Sequence, residues 1–368
     1  MIFQINKDTL KKGISRLKNT LAKDSPRPII KHFLFEIKDK ILTVKSTNNA
    51  VSSVWTTSIE ATEDFSFTVP GDTFTSLIAT LEHDVVSFDY APMSKDVTVT
   101  CGKYTWDASS GDVTEFPNIK VPEDLQEIVL PLDFQSLLKS VSFAISNDVT
   151  KMDLSSLCFD INKDKEGVVN LLSTDRLRLS CASFNAVIGS KEHIRFLIPR
   201  NSLSEVMKFE PTKIGFDKEL RKAYFTQEDP TGVYTFQTVL SNTVYPDIYT
   251  YLNGAFSGES DPVQMQRHDL VRALKRTLIT SDKNIGKFTF SKGKLFISTL
   301  NETNTSKSKE FLEAGYNLDT DVSFSVNVNH LLDYLSQEPL DTVSFKVVNG
   351  KCLVFDKDNY RHVLSVNP

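Results

Sequence analysis

The chain has 368 residues and a mass of 41.4 kDa, which predicts two or three domains at about 100–200 residues each. Its residues are 40% apolar and 24% charged, proportions that exclude a disordered chain and a coiled coil. The net charge of −5 and the pI near 5.8, taken over the whole chain, argue against a nucleic-acid-binding protein. The charge is unevenly distributed, however: residues 1–50 carry eleven basic and four acidic residues, whereas residues 51–100 carry one basic and eight acidic.

The first predicted helix covers residues 6–23 and has one apolar and one basic face. Leu10, Ile14, Leu17 and Leu21 recur at the spacing of a buried helix face. The other faces carry Lys7, Lys11, Lys12, Arg16, Lys18 and Lys23. This distribution predicts an anionic partner, although a solvated helix surface is the alternative. Without a base-reading motif, the partner's phosphates would be contacted independently of sequence.

A strand–helix–strand pattern begins at residue 65 and recurs twice. The strands that end at Val69, Ile198 and Val326 are each followed by apolar residues at +5, +8 and +9. These anchors are 129 and 128 residues apart. Such a repeat indicates three copies of one unit.

Two further patterns repeat at a similar interval. Ile5, Leu132 and Met265 are each predicted to end a strand, and apolar residues follow each of them at +5 and +9. Pro117 and Pro246 lie 129 residues apart in predicted linkers. The chain is therefore predicted to be α+β, with three repeated domains of two helices against antiparallel sheet: 1–121, 122–253 and 254–368.

The helix of repeat three that corresponds to the first helix is also basic. It is predicted over residues 266–283, with Arg267, Arg272, Lys275, Arg276 and Lys283 outside its apolar face. Two equivalent basic helices in an acidic chain strengthen the prediction of an anionic partner.

Motifs for catalysis, metals and cofactors are missing from the sequence. No histidine or cysteine pair has metal-site spacing, and no nucleotide-binding or hydrolase motif occurs. We therefore predict a protein that is not an enzyme and has no metal or cofactor. A carboxylate-based hydrolase and a non-enzymatic β-rich protein-binding module are the alternatives. Without a signal-peptide pattern or a window of about 18 apolar residues, the predicted location is cytoplasmic.

Four segments carry a resemblance to a known family. They are Phe116-Pro117-Asn118, a Thr-Asp-x-x-Arg-Leu motif at 174–179, Tyr245-Pro246-Asp247 and the segment 143–160. In order and spacing they resemble the sliding clamp of bacterial DNA polymerase III, its β subunit. The resemblance implies a closed ring of two copies that encircles duplex DNA, with helices lining the hole. The ring would tether a DNA polymerase, and polymerases, the clamp loader and repair proteins would each insert a short apolar-ended peptide into a pocket on it. The chain would be either a chromosomal clamp or a divergent phage or plasmid version.

The resemblance also implies three sets of site residues. The DNA-binding set is Lys7, Lys11, Lys12, Arg16, Lys23, Arg27, Asn147, Lys151, Arg200, Arg272, Lys275 and Arg276. A pocket for partner peptides would contain Thr174, Arg176, Leu177, Arg178, Leu179, Pro246, Thr250, Tyr251, Leu353, Val363, Leu364, Ser365 and Val366. The interface of the homodimer would contain Tyr104, Trp106, Ala108, Leu278 and Ile279.

The sequence departs from the family pattern at several of these positions. Arg176 and Leu177 replace the usual Gly-His, Thr250 replaces an arginine, and the usual methionine-rich tail is missing. A pair of tyrosines in the DNA-contacting loop is replaced by Met152-Asp153. We predict that the pocket is retained and that the departures at Arg176, Leu177, Thr250 and the tail alter its peptide preference. In the DNA-contacting loop, Asn147 and Lys151 are the remaining candidates for DNA contact.

Overall fold

The structure, a computed structural model, describes residues 1–163, 165–217, 219, 221–258, 260–299, 307–315 and 321–367. Its fold divides into two compact units. The first contains residues 1–132, 186–191 and 201–240, and the second contains 133–185, 192–200 and 241–368.

Strands dominate all three repeats. The first contains β1 (Ile2–Asn6), α1 (Lys7–Leu17), β2 (His32–Lys38), β3 (Ile41–Thr47), β4 (Val51–Ser58), β5 (Glu60–Ala61), β6 (Phe65–Pro70), α2 (Gly71–Thr80), β7 (Val85–Ala91), β8 (Asp96–Cys101) and β9 (Tyr104–Ser109). The second contains β10 (Gln126–Val129), α3 (Phe134–Ser142), β11 (Ser156–Ile161), β12 (Val168–Thr174), β13 (Arg178–Asn185), β14 (Ile194–Pro199), α4 (Arg200–Val206), β15 (Lys213–Phe216), β16 (Lys222–Asp229), β17 (Gly232–Val239) and α5 (Tyr249–Phe256). The third contains β18 (Pro262–Gln266), α6 (Arg267–Thr280), β19 (Ile285–Ser291), β20 (Lys294–Thr299), β21 (Lys309–Glu313), β22 (Val322–Asn327), α7 (Val328–Gln337), β23 (Thr342–Val348), β24 (Cys352–Lys357) and β25 (Tyr360–Ser365).

Each unit contains two sheets. The first unit has a five-stranded sheet, β5-β1-β7-β8-β9, and an eight-stranded sheet, β10-β15-β16-β17-β4-β3-β2-β6. The second has an eight-stranded sheet, β14-β11-β12-β13-β25-β24-β23-β18, and a four-stranded sheet, β21-β20-β19-β22. Neighbouring strands pair antiparallel, for example β13 with β25, which confirms the predicted α+β class. Each eight-stranded sheet joins strands from two sequence repeats, so the compact units do not coincide with the repeats.

The repeat itself is confirmed by the elements that it predicted. The strands β6, β14 and β22 contain Val69, Ile198 and Val326, and each is followed directly by a helix, α2, α4 and α7 respectively. The apolar residues at +5 after these anchors, Phe74, Leu203 and Leu331, are all buried. The prediction that a strand ends at Leu132 is wrong, because β10 ends at Val129 and the Leu132 side chain is fully exposed. The proline at 131 has no N–H to donate to a strand ladder.

Both basic helices are shorter than predicted. Asn6 caps α1 by accepting hydrogen bonds from the N–H groups of Asp8 and Thr9. The α-helix ends at Leu17, because the hydroxyls of Thr20 and Ser46 donate to the Leu17 carbonyl and a 3₁₀ turn follows. α6 covers 267–280 instead of 266–283.

Gly13 brings α1 close to the eight-stranded sheet. A Cβ at this position would lie 2.4 Å from the ring of Trp55, which is fully buried on β4. We expect Gly13→Ala to lower the free energy of unfolding by about 1–2 kcal/mol, because overpacking outweighs the roughly 1 kcal/mol gained in helix propensity. A Cβ at Gly254, in α5, would meet open space, so Gly254→Ala should stabilise by up to about 1 kcal/mol. Chemical denaturation of both variants checks the two signs, and a stabilised Gly13→Ala would contradict the close approach.

Candidate functional sites

The basic residues of α1 fall into two groups that differ in their contacts. Lys11 and Lys12 of α1 are exposed, as is Lys23 beyond the helix, whereas Lys7 is half-buried and donates to the Glu82 carbonyl at 3.2 Å. Arg27, beyond the helix, is exposed and donates to the Glu115 carbonyl at 3.4 Å. Lys11 and Lys23 leave their charge available to a phosphate.

Asp229, in the β16–β17 hairpin, neutralises part of this charge. Its carboxylate lies 2.7 Å from Arg16 Nη2 and 2.9 Å from Lys12 Nζ. The side chains of Arg16 and Asp229 are only 12% and 13% exposed. Burial acts to raise the pKa of Asp229, but hydrogen bonds from Thr231, Lys12 and Arg16 outweigh it and hold the pKa well below its usual range. Arg16 is therefore held by Asp229 and is mostly buried. Lys12, the other base that contacts Asp229, is exposed.

The basic residues of α6 also differ in their pairing. Arg272 lies 2.6 Å from Asp269, and Arg276 Nε lies 3.1 Å from Glu310 Oε1. Lys275 is exposed, and no carboxylate of the described residues lies within ion-pair distance of it. All three side chains are exposed, so the ion pairs are weak and screened.

The segment after α3 brings together three further residues of the predicted DNA-binding set. Asn147 and Lys151 are exposed, and Lys151 lies 3.3 Å from Asp148. Arg200 is half-buried and donates through Nη1 to the Ile145 carbonyl at 2.7 Å. Arg200 therefore holds this loop in place instead of presenting its charge.

Seven residues of the predicted peptide pocket line one cavity in the second unit. The cavity has a volume of about 190 Å³, smaller than the roughly 300–1,000 Å³ of small-molecule sites. It is lined by Thr174, Arg176, Leu177, Arg178, Leu179, Pro246 and Tyr251, together with Asp247 and Ile248. Asp247 and Ile248 were absent from the predicted pocket set. Asp247 is the last residue of the Tyr-Pro-Asp motif and Ile248 follows it, so their position beside Pro246 could have indicated both.

The other predicted pocket residues lie elsewhere in the fold. Thr250 donates its hydroxyl to the Asp247 carboxylate at 3.0 Å and does not line the cavity. Leu353, Val363, Leu364 and Val366 are buried, because β25 pairs with β13 and β24 in the middle of the eight-stranded sheet. Ser365 donates its N–H to the Leu177 carbonyl at 2.8 Å. The C-terminal strand thus supports the turn at 174–178 instead of lining the cavity.

Hydrogen bonds fix that turn on one side of the cavity. Thr174 Oγ1 donates to the Arg178 carbonyl at 2.7 Å and accepts from the Arg176 N–H at 3.1 Å. Asp175 Oδ1 accepts from the N–H groups of Leu177 and Arg178 at 2.9 and 3.0 Å. Arg176 adopts a left-handed conformation, with φ of 79°. The turn therefore holds Arg176 and Leu177 outward, where both are exposed.

Arg178 is a buried cation on the cavity wall. Its guanidinium donates to Asp175 at 2.9 Å and to Asp333 of α7 at 2.6 Å, and it lies 5.5 Å from the centre of the Phe143 ring. Two carboxylates therefore satisfy its charge. Asp333 lies 155 residues away in sequence, and no sequence signal pointed to it.

The opposite side of the cavity is held by α5. Ile248 and Leu252 pack in a buried cluster with Leu179 and Val363. Tyr249 donates its hydroxyl to the fully buried Asp160 at 2.9 Å. These contacts fix the segment that carries Pro246 and Tyr251.

The predicted dimer-interface residues lie in two places, the edge strand of the five-stranded sheet and the last turn of α6. Tyr104, Trp106 and Ala108 are on β9, the last strand of the five-stranded sheet. Trp106 is half-buried, with its ring centroid 5.9 Å from that of Phe74, while Tyr104 is exposed. Leu278 is half-buried and Ile279 is exposed in the last turn of α6.

Among the residues that the structure describes, no group of three or more His, Cys, Asp or Glu is placed to hold a metal ion. Within the same residues, no helix has the length and apolar character needed to cross a membrane.

Two family models match the chain. They are the N-terminal domain of the DNA polymerase III beta subunit, over residues 1–120, and its central domain, over 129–247. The beta sliding clamp of Chlamydia muridarum is 23% identical over 375 residues, spanning 100% of this chain and 98% of the relative. The crystal structure of the DNA polymerase III subunit beta from Pseudomonas aeruginosa has a TM-score of 0.88 at 21% identity, covering 100% and 99% of the two chains. That of the Helicobacter pylori beta clamp with 3,4-difluorobenzamide has a TM-score of 0.88 at 18% identity, covering 100% of both.

Proposed function

Because the chain belongs to the DNA polymerase III beta subunit family, we propose that it is a DNA sliding clamp that encircles duplex DNA and tethers a DNA polymerase to it. One observation carries the proposal in this chain. The equivalent helices α1 and α6 both expose basic side chains, although the chain as a whole is acidic. The low identity to the relatives makes it a divergent member of the family.

Contact with DNA is electrostatic and independent of sequence. Lys11, Lys23 and Lys275 have long flexible side chains that meet phosphates without reading bases. Weak contacts of this kind allow the protein to move along the duplex. The protein is not an enzyme in this proposal, because it raises the effective concentration of the polymerase at its template without any chemical step.

The cavity at 174–179 and 246–251 is the partner site. Leu179 and Ile248 give it an apolar floor, and its volume of about 190 Å³ suits one or two apolar side chains. Short apolar-ended peptides of the polymerase, the clamp loader and other factors would bind there in turn.

Assembly requires a second copy of the chain. β9 is an edge strand of the five-stranded sheet, a position that favours pairing with another chain. Tyr104 and Trp106 would meet Leu278 and Ile279 of the second copy, closing a ring that acts in the cytoplasm.

Two measurements test this proposal. Sedimentation of the free protein should give about 83 kDa, twice 41.4 kDa. Protein assembled on a nicked circular plasmid should co-elute with it in gel filtration and should be lost when the circle is cut. Equal retention on circular and linear DNA would instead favour a protein that binds DNA from outside and would contradict the clamp.

A further inference from the structure

Arg176 is the residue of the peptide cavity whose backbone and charge both require an explanation. Its φ of 79° lies in the left-handed region, where a residue with a Cβ is strained and glycine is favoured. The hydrogen bond from its N–H to Thr174 Oγ1 and the bond from the Leu177 N–H to Asp175 Oδ1 stabilise the turn in which it lies. A strained non-glycine residue at a binding site is a reason to look for a role of its side chain.

The Arg176 guanidinium is the cation that the cavity leaves available. Among the described residues, no carboxylate lies within ion-pair distance of it, and the side chain is exposed at the mouth. Arg178, by contrast, is buried and paired with Asp175 and Asp333. Of the two arginines on the cavity, only Arg176 can meet a charge on a ligand without breaking an internal ion pair.

Apolar surface adjoins this cation. Leu177 is 55% exposed and Tyr251 is 51% exposed, and both line the same cavity. A ligand that covers them removes water from around the guanidinium, which strengthens an ion pair formed there. Arg176 also offers planar, bidentate geometry that matches a carboxylate.

One acid on the cavity limits where a ligand can place its charge. Asp247 lines the cavity, and its carboxylate accepts hydrogen bonds from Thr250 Oγ1 and the Tyr249 N–H at 3.0 and 3.2 Å. The Thr250 hydrogen bond lowers the pKa of Asp247, so this carboxylate is anionic at neutral pH. A carboxylate of the ligand is therefore favoured beside Arg176 and disfavoured beside Asp247.

We propose that this cavity selects partner peptides that carry an aspartate or glutamate beside their apolar anchor, and that Arg176 is the residue that selects it. This inference rests on the proposed function, because it assumes that the cavity binds partner peptides. It goes further by naming the charge of the partner and the side chain that reads it.

The test compares fluorescein-labelled peptides with the same apolar end by fluorescence anisotropy. Each carries a single Asp or the isosteric Asn, and the position is scanned along the peptide. At low ionic strength, one position should favour Asp over Asn by about two- to fivefold, and the preference should shrink as salt is added. Arg176→Gln should abolish the preference, and Arg176→Glu should reverse it. Lys287→Gln, which removes an exposed cation of β19, should leave it unchanged.

The outcomes separate this inference from the proposed function. If no peptide binds the wild-type protein, the peptide site itself is wrong. If the peptides bind but no position prefers Asp, or if the preference persists in Arg176→Gln, the role of Arg176 is overturned. The wild-type comparison requires no substitution in the protein, so it stands even if a variant folds poorly.

Discussion

Reversing four exposed lysines should abolish retention on circular DNA. Lys11, Lys18, Lys23 and Lys275 are exposed, and no described carboxylate lies within ion-pair distance of any of them. Their replacement by glutamate should reduce the affinity for duplex DNA at low salt by about two orders of magnitude, because each phosphate that they neutralise releases counterions on binding. The slope of log K against log salt should flatten by about 0.9 for each phosphate that is no longer neutralised. Gel filtration with a nicked plasmid and titration at several salt concentrations measure both effects.

A matched variant controls for net charge. Lys38, Lys120, Lys287 and Lys351 are also exposed, but none lies in the two predicted basic helices, 6–23 and 266–283. Their reversal changes the net charge equally and should leave most of the retention intact. Equal loss in both variants would contradict a DNA-binding surface in segments 6–23 and 266–283. Arg16 is unsuitable for this test, because Arg16→Glu would place a second carboxylate against Asp229 and destabilise the first unit.

Stability should fall steeply in mild acid because of His362. This residue of β25 has no exposed surface, its Nδ1 lies 2.8 Å from Ser180 Oγ, and its ring stacks on Tyr334 at 5.0 Å. Burial lowers the pKa of His362 to about 3, and the nearby charges of Arg178 and His330 act in the same direction. The unfolded chain therefore takes up a proton near pH 6.5 that the folded protein excludes down to about pH 3.

Above about pH 6.5 the His362 ring is neutral in both states and does not alter the free energy of unfolding. Below that pH, the free energy of unfolding declines by about 1.4 kcal/mol for each pH unit. We expect the free energy of unfolding to fall by about 2–3 kcal/mol between pH 6.5 and 4.5. Urea denaturation across this range measures the loss.

Two variants identify the responsible group. His362→Phe keeps an aromatic ring without a titrating nitrogen, so its profile should be much flatter. A residual slope is expected from His330, because burial lowers its pKa as well. His268→Gln removes an exposed ring on α6 and should keep the wild-type profile. Superimposable profiles for wild type and His362→Phe would show that His362 does not control the acid sensitivity.

Local sequence patterns were sufficient to predict the fold class and the repeat. Leu10, Ile14 and Leu17 form the buried face of α1 because helix periodicity is a property of a short segment. The strands before Val69, Ile198 and Val326 could be recognised for the same reason. The end of α1 could not, because Ser46, a residue distant in sequence, helps to stop the helix at Leu17.

The candidate sites divide in the same way. The family resemblance implied that the Thr-Asp-x-x-Arg-Leu and Tyr-Pro-Asp motifs form one pocket, and residues of both motifs line one cavity. The family resemblance also implied that Leu353, Val363 and Leu364 belong there, but the pairing of β25 with β13 and β24 buries them inside a sheet. Only the structure distinguishes a residue that lines the cavity from one that supports it.

The sequence by itself determined the three repeats, the α+β class and the positions of the basic helices. Each helix or strand is recognised from the order of side chains in a short segment, and the repeat from the recurrence of those segments. The tertiary structure decided which charges are available. Asp229 reaches Arg16 across 213 residues, and Asp333 reaches Arg178 across 155, so these two arginines are held internally while Lys11 and Arg176 are not. Such pairings depend on which strands and helices become neighbours, and a local sequence pattern does not show which distant residues the fold brings together.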